Sequence, residues 1–135
     1  MIIADASLLA NLLIPGLDLV SAEAVRSRDS DWRAPGLWPY EFRNTLLKYI
    51  KADRLSQLAA SNLIGHALQI MGSPGRDAAS SDTLATAVTF GLSSYDAEYV
   101  AFAKTLGVPL VTFDRRLAKA APGIAFRPDE YLALR

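Results

Sequence analysis

Residues 92–114 read LSSYDAEYVAFAKTLGVPLVTFD. Two patterns meet in this stretch. Ser93-Ser94 caps a helix that runs to Leu106, and Gly107 ends it. Val108 to Phe113 is then apolar and rich in β-formers, with Pro109 at its start, where a strand tolerates a missing N–H. A helix that leads straight into an apolar strand is the repeating unit of an α/β fold. The strand run ends on an acid, Asp114. The helix carries another acid, Asp96, in its first turn.

The same pattern opens the chain. Ile2-Ile3-Ala4 is a short apolar run that suits a buried parallel strand, and Asp5 follows it. Ser7 to Leu13 then reads as helix up to Pro15-Gly16. A second helix is predicted from Asp18 to Ser27, and a short strand at Trp32-Arg33-Ala34 before Pro35-Gly36. A long helix runs from about Pro39 to Ala52, with Phe42, Leu46, Tyr49 and Ile50 as its apolar stripe. Another covers Ser56 to Met71, and Gly72-Ser73-Pro74-Gly75 reads as a loop. Ser81 to Phe90 is helical again.

Beyond Asp114 the spacing predicts a short helix over Arg115–Ala121, stopped by Pro122-Gly123. A last strand at Ile124-Ala125-Phe126 and a last helical piece over Pro128–Leu134 follow. Short strands alternating with helices predict one α/β domain over residues 1–135, an α/β sandwich around a mostly parallel sheet. Right-handed crossovers bring all strand C-termini to one edge.

Composition narrows the chemistry. With 51% hydrophobic and 21% charged residues the chain is globular in character. Its formal net charge is zero, so a nucleic-acid partner would have to be held by a local basic patch. The absence of cysteine removes disulfides, zinc–thiolate sites and thiol nucleophiles. The apolar start MIIADASLLANLLIPG holds Asp5 and lacks a basic leader, so it does not read as a signal peptide. No uncharged apolar run reaches membrane-spanning length. The expected address is cytoplasmic, away from membranes.

Four acids then stand out. In open α/β folds ligands bind outside the carboxyl ends of the strands, where Asp5 and Asp114 both lie. Asp96 and Glu41 each sit in the first turn of a helix, at the same edge. Each has a plainer reading beside the functional one. Ser93-x-x-Asp96 fits a capping box. Glu41 suits the dipole at a helix N-terminus. Asp114 is placed as an N-cap for the next helix. Asp5 is harder to dismiss, because an acid ending a buried strand is costly unless something pairs with it. Four carboxylates in one pocket cannot all stay ionised unless protons or a cation compensate. Hard oxygen donors suit Mg²⁺ or Mn²⁺, which activate water against a phosphodiester without a protein nucleophile.

Other catalytic kits are missing. His66 is the only histidine, lies inside a predicted helix and reads as structural or surface. A Ser-His-Asp triad would have to use it, and no G-x-S-x-G elbow occurs. Neither GxxxxGK[ST] nor GxGxxG is present.

These residues resemble the PIN-domain ribonucleases, and within them the VapC-type toxins of bacterial toxin–antitoxin pairs. The matching pieces are IIADAS at 2–7, PYEFRNTLLKYIK at 39–51, residues 92–114, and RRLAKA after them. The YDAxYxxxA helix followed by PLVTxD is the more specific part. The segment Gly72 to Asp82 carries no clear signature of the family. The resemblance implies a PIN-like α/β/α sandwich. It also implies an acidic site of Asp5, Glu41, Asp96 and Asp114, with Asp5, Asp96 and Asp114 as the main metal ligands and Glu41 acting through water. Ser7, Asn44 and Thr112 match polar positions that support such a site; ordinary local hydrogen bonding is the plainer reading of all three. A small antitoxin that wraps the toxin, and a homodimer, are implied partners.

Two basic clusters flank the acids. Arg43, Lys48, Lys51 and Arg54 lie on or after the Glu41 helix. Arg115, Arg116 and Lys119 follow Asp114. Both clusters suit RNA phosphates, and the plainer reading is solvated surface charge. Trp38 and Tyr40 serve either core packing or stacking of a base or an antitoxin helix. A phosphoacceptor receiver domain also puts acids at strand ends. It needs a second acid beside the first, where Ala4 and Ala6 stand, and a lysine at a later strand end. The remaining alternative is a catalytically inactive PIN-like RNA- or protein-binding module.

Overall fold

The computed structural model describes residues 1–72 and 76–135. Its strands are β1 (Ile2–Ala4), β2 (Trp32–Arg33), β3 (Leu110–Val111) and β4 (Ala125–Phe126). They pair in the order β2-β1-β3-β4, and every pairing is parallel. The helices are α1 (Ala6–Leu13), α2 (Leu19–Arg28), α3 (Trp38–Lys51), α4 (Gln57–Met71), α5 (Ser80–Phe90), α6 (Ser94–Leu106), α7 (Arg115–Ala120) and α8 (Pro128–Ala133).

The central strand explains the layers. Ile2, Ile3 and Ala4 are all buried, so both faces of β1 are covered, as a parallel sheet requires. α6 packs on β1 and β3, with α5 behind it; α1 packs on β1 and against α2, α3 and α4. The result is an α/β/α sandwich. Trp32, Trp38, Phe42, Leu8, Leu9 and Val100 are among its fully buried side chains.

Helix boundaries follow the local chemistry. Asp18, Ser56 and Ser93 each accept a backbone N–H at the start of their helices. Gly91 and Gly107 end α5 and α6 in the left-handed conformation that glycine adopts without a Cβ penalty.

Some expectations need correction. The apolar stripe of α3 is only partly core: Phe42 and Leu46 are buried, as is Trp38, while Tyr49 and Ile50 are half-buried. The strand predicted over Val108–Phe113 pairs as strand only at Leu110–Val111. Pro109 has no N–H to give on one side. On the other side, the Ser7 side chain captures the Phe113 N–H at 2.8 Å. Of the predicted loop at residues 72–75, Ser73, Pro74 and Gly75 lie outside the described residues. Among the described residues no helix is long and apolar enough to cross a membrane.

Candidate active site

The strand order decides where a site can form. From β1 the chain moves out to β2 on one side, then returns to β3 on the other. The crevice beyond the carboxyl ends of β1 and β3 is therefore the topological switch point, where open α/β sheets bind ligands. Ala4 is in register with Val111, so Asp5 and Thr112 emerge side by side. α6 runs back against β3, which puts its N-terminal turn, and Asp96, at the same edge.

Asp5 is held by three donors. Thr112 Oγ1 donates to its Oδ2 at 2.6 Å. Ser7 Oγ donates to its Oδ1 at 2.6 Å, and the Leu8 N–H reaches the same oxygen at 3.1 Å. Asp5 is thus also the N-cap of α1. Thr112 Oγ1 in turn accepts the Asp114 N–H at 3.0 Å. Asp5 is 8% exposed, and burial pushes its carboxyl above the ordinary range. The three hydrogen bonds pull the other way, and nearby Asp114 adds to the rise.

Glu41 enters from the first turn of α3. Burial raises its carboxyl too, with Asp96 and then Asp5 adding repulsion and Lys48 opposing. Asp96 uses its N–H, not its carboxylate, in the cap: the N–H donates to Ser93 Oγ at 3.1 Å. Its Oδ2 accepts from Arg116 Nη2 at 2.7 Å. Asp114 Oδ1 accepts the N–H groups of Arg116 and Leu117 at 2.9 and 3.2 Å, capping α7. Its Oδ2 lies 3.5 Å from the same Arg116 Nη2. One guanidinium nitrogen therefore touches two of the four acids. A cavity of about 300 Å³ is lined by all four, with Ser7, Asn11, Thr45, Lys48, Tyr49 and Tyr99 also in its wall.

The family model described as PIN domain matches residues 2–122. The chain belongs to the PIN-domain family. This PIN domain is 30% identical over 126 residues to Ribonuclease VapC3 of Pyrobaculum aerophilum, spanning 91% of this chain and 96% of that protein. It also matches the crystal structure of PAE2754 from Pyrobaculum aerophilum with a TM-score of 0.76 and 28% identity, covering 97% of this chain and 92% of that one.

The donor set of this PIN domain fits a divalent cation. Its acids are hard oxygen donors, and their mutual repulsion calls for positive charge. Arg116 supplies part of that charge to Asp96 and Asp114. As the side chains stand, no three acidic or histidine groups among the described residues close on one point. Two of the acids are turned toward Arg116 instead.

Not every expected residue joins the cavity. Asn44 is exposed and absent from the wall, where Thr45 stands. Around a helix, position i+4 falls about 40° from Glu41 and position i+3 about 60° to the other side, and the cavity lies toward i+4. Arg43 lies over the exposed Tyr40 ring, 4.7 Å from its centre; Trp38 is core. Lys48 lines the cavity. Arg115 faces a second recess, about 580 Å³, with Lys119 and Arg127. His66 is exposed. Ser7 and Thr112 make local bonds, to Asp5 and from the Asp114 N–H, and beside them bonds that span more than a hundred residues.

Asn11, Thr45, Tyr49 and Tyr99 were not foreseen. Tyr99 was the most accessible of them. It follows Asp96 by three positions, on the same helix face. Its hydroxyl is buried without a partner among the described residues. Burial, then Glu41, Asp5 and Asp96, hold its proton far above the ordinary phenol range.

Proposed function

We propose that this PIN domain is an endoribonuclease dependent on Mg²⁺ or Mn²⁺, the toxin component of a toxin–antitoxin pair. The observation that carries the reading is the convergence of Asp5, Glu41, Asp96 and Asp114 on one cavity at the switch point of the sheet. The likeness to a protein named Ribonuclease VapC3 supports RNA as the substrate.

Asp5, Asp96 and Asp114 are the residues that would hold the cation. When bound, the cation supplies a water of lowered pKa and positive charge beside the phosphoryl oxygens. Ser7 and Thr112 fix the Asp5 carboxylate, leaving its remaining lone pairs for the cavity. Glu41 accepts no side-chain hydrogen bond among the described residues, and burial raises its pKa, which suits it to accept a proton from the attacking water. Lys48, Arg43 and Arg115 contact RNA phosphates along the rim. Arg116 would be free to serve an RNA phosphate where the cation takes its place beside Asp96 and Asp114. Exposed ion pairs of this kind are weak enough to exchange partners.

The further expectations go with this reading. The domain spans residues 1–135, works in the cytoplasm, is silenced by a small antitoxin and forms a homodimer.

The test is cleavage of RNA by the purified chain with Mg²⁺, with Mn²⁺ and with EDTA. Cleavage requires a cation and falls at least about 100-fold in Asp5→Asn, the scale on which loss of a charge-stabilising group acts. Full activity in a folded Asp5→Asn protein refutes the reading. RNA binding without cleavage under every condition leaves the inactive binding module.

A further inference from the structure

Asp114 sits on a short piece of chain between β3 and α7 that belongs to no helix or strand. Such a piece is placed only by the individual bonds its backbone makes. On the N–H side those bonds lead into the clasp on Asp5. Ser7 Oγ accepts the Phe113 N–H at 2.8 Å, and Thr112 Oγ1 accepts the Asp114 N–H at 3.0 Å. On the carbonyl side the partner comes from outside the site. Arg127 Nη1 donates to the Phe113 carbonyl at 2.7 Å.

The backbone that carries Arg127 is itself fixed. The residue follows β4 directly and caps α8. Its N–H donates to Glu130 Oε2 at 2.9 Å, and its carbonyl accepts the Tyr131 N–H at 2.8 Å. The side chain is 25% exposed, and its ion-pair partner among the described residues is Asp129, 4.0 Å away and 83% exposed. Its short contact is therefore the carbonyl, a charge-assisted bond. Arg127 lines the recess of Arg115 and Lys119, not the acidic cavity. It reaches that cavity through one peptide unit. The Phe113 carbonyl, the Asp114 N–H and the Asp114 Cα lie in a single plane. Arg127 grips that plane by its oxygen and Thr112 by its N–H, so together they set where Asp114 starts.

We propose that Arg127 is a positioning residue for the cation site: by holding the Phe113 carbonyl it sets Asp114 against Asp5 and Asp96. The proposal rests on the reading above, in which Asp114 is a cation ligand. Groups that orient a ligand matter nearly as much as the ligand, and losing one typically weakens metal binding or activity tenfold to a hundredfold. Arg127 is also a positive charge, and its two effects have opposite signs. Removing a positive charge near the site strengthens the attraction of a divalent ion. Releasing Asp114 weakens it.

Arg127→Gln in the full chain tests this, because the glutamine amide is too short to span to the carbonyl. Mn²⁺ binding without RNA is read from the signal of the free ion at fixed ionic strength, and circular dichroism checks the fold. The expected dissociation constant is about tenfold to a hundredfold higher than the parent's, and kcat for RNA falls on the same scale. Arg127→Met, which keeps a long stem, decides where Arg127→Gln does not fold. Parental or tighter Mn²⁺ binding in a folded variant overturns the proposal, whatever its melting temperature, because a brace for stability alone leaves the site as it was. A parent that binds no Mn²⁺ overturns the cation-dependent reading and this proposal with it, so the parent's own binding tells the two failures apart.

Discussion

Glu41 and Asp5 share a cavity in which burial and like charge both penalise the ionised carboxyl. A carboxyl whose pKa is raised by folding binds its proton more tightly in the folded chain than in the unfolded one. Below the ordinary carboxyl range both states are protonated and nothing is lost. As pH rises past that range toward the raised values, the folded state loses stability. The metal-free protein should therefore melt at a lower temperature at pH 7 than at pH 5, as far as this site decides it. Glu41→Gln removes one of the repelling charges. At pH 7 we expect it to raise the metal-free melting temperature by about 2–4 °C and to flatten its pH dependence. A melting curve that drops in Glu41→Gln would mean the carboxylate is favourably paired, contrary to the repulsion described. The four acids were readable in the sequence because each ends a strand or heads a helix. The clasp on Asp5 was not. Ser7 and Thr112 meet only once β1 and β3 are in register, and no local pattern carries that register.

At the scale of elements, helices were more legible than strands, and the reason lies in where their bonds go. A helix satisfies its backbone within one segment, so Ser93, Ser56 and Gly107 mark its ends in the sequence. A parallel strand takes its bonds from distant neighbours. β3 is two residues long: beyond it the Thr112 N–H still reaches the Phe126 carbonyl, but the Phe113 N–H goes to Ser7 rather than to a strand. α7 shows the same overlap of structure and chemistry. Asp114 caps it through Oδ1 and faces Arg116 through Oδ2. Asparagine caps a helix about as well as aspartate, and alanine does not. Asp114→Asn should therefore keep the parental melting temperature yet lose cleavage about 100-fold. Asp114→Ala should lose the same activity and a further ~0.5–2 kcal/mol of stability, read from urea unfolding. Parental cleavage in Asp114→Asn would reduce Asp114 to a cap.

Over the whole molecule, positive and negative charges balance, so an RNA ligand has to be held by where the cations lie. Arg116 is engaged with acids. Arg115, its neighbour, turns into the larger recess beside Lys119 and Arg127, whose wall also carries the ring of Phe126. The chain thus passes from the acidic cavity at Asp114 to a basic one at Arg115 within a single residue. An RNA strand that presents its scissile phosphate to the acids has this basic recess within reach of its neighbouring phosphates. Single-stranded binding weakens with salt in proportion to the phosphates neutralised, by about 0.7 in log–log slope for each. Replacing both Arg115 and Lys119 by alanine should lower the slope of RNA affinity against salt by about 1.4. It should raise KM for a long RNA while sparing kcat, because neither side chain touches the reacting phosphate. Fluorescence anisotropy across a salt series, without divalent ions, measures the slope directly. An unchanged slope in the double variant would remove this recess from the path of the RNA and leave Lys48 and Arg43, on the α3 side, as the cations that hold it.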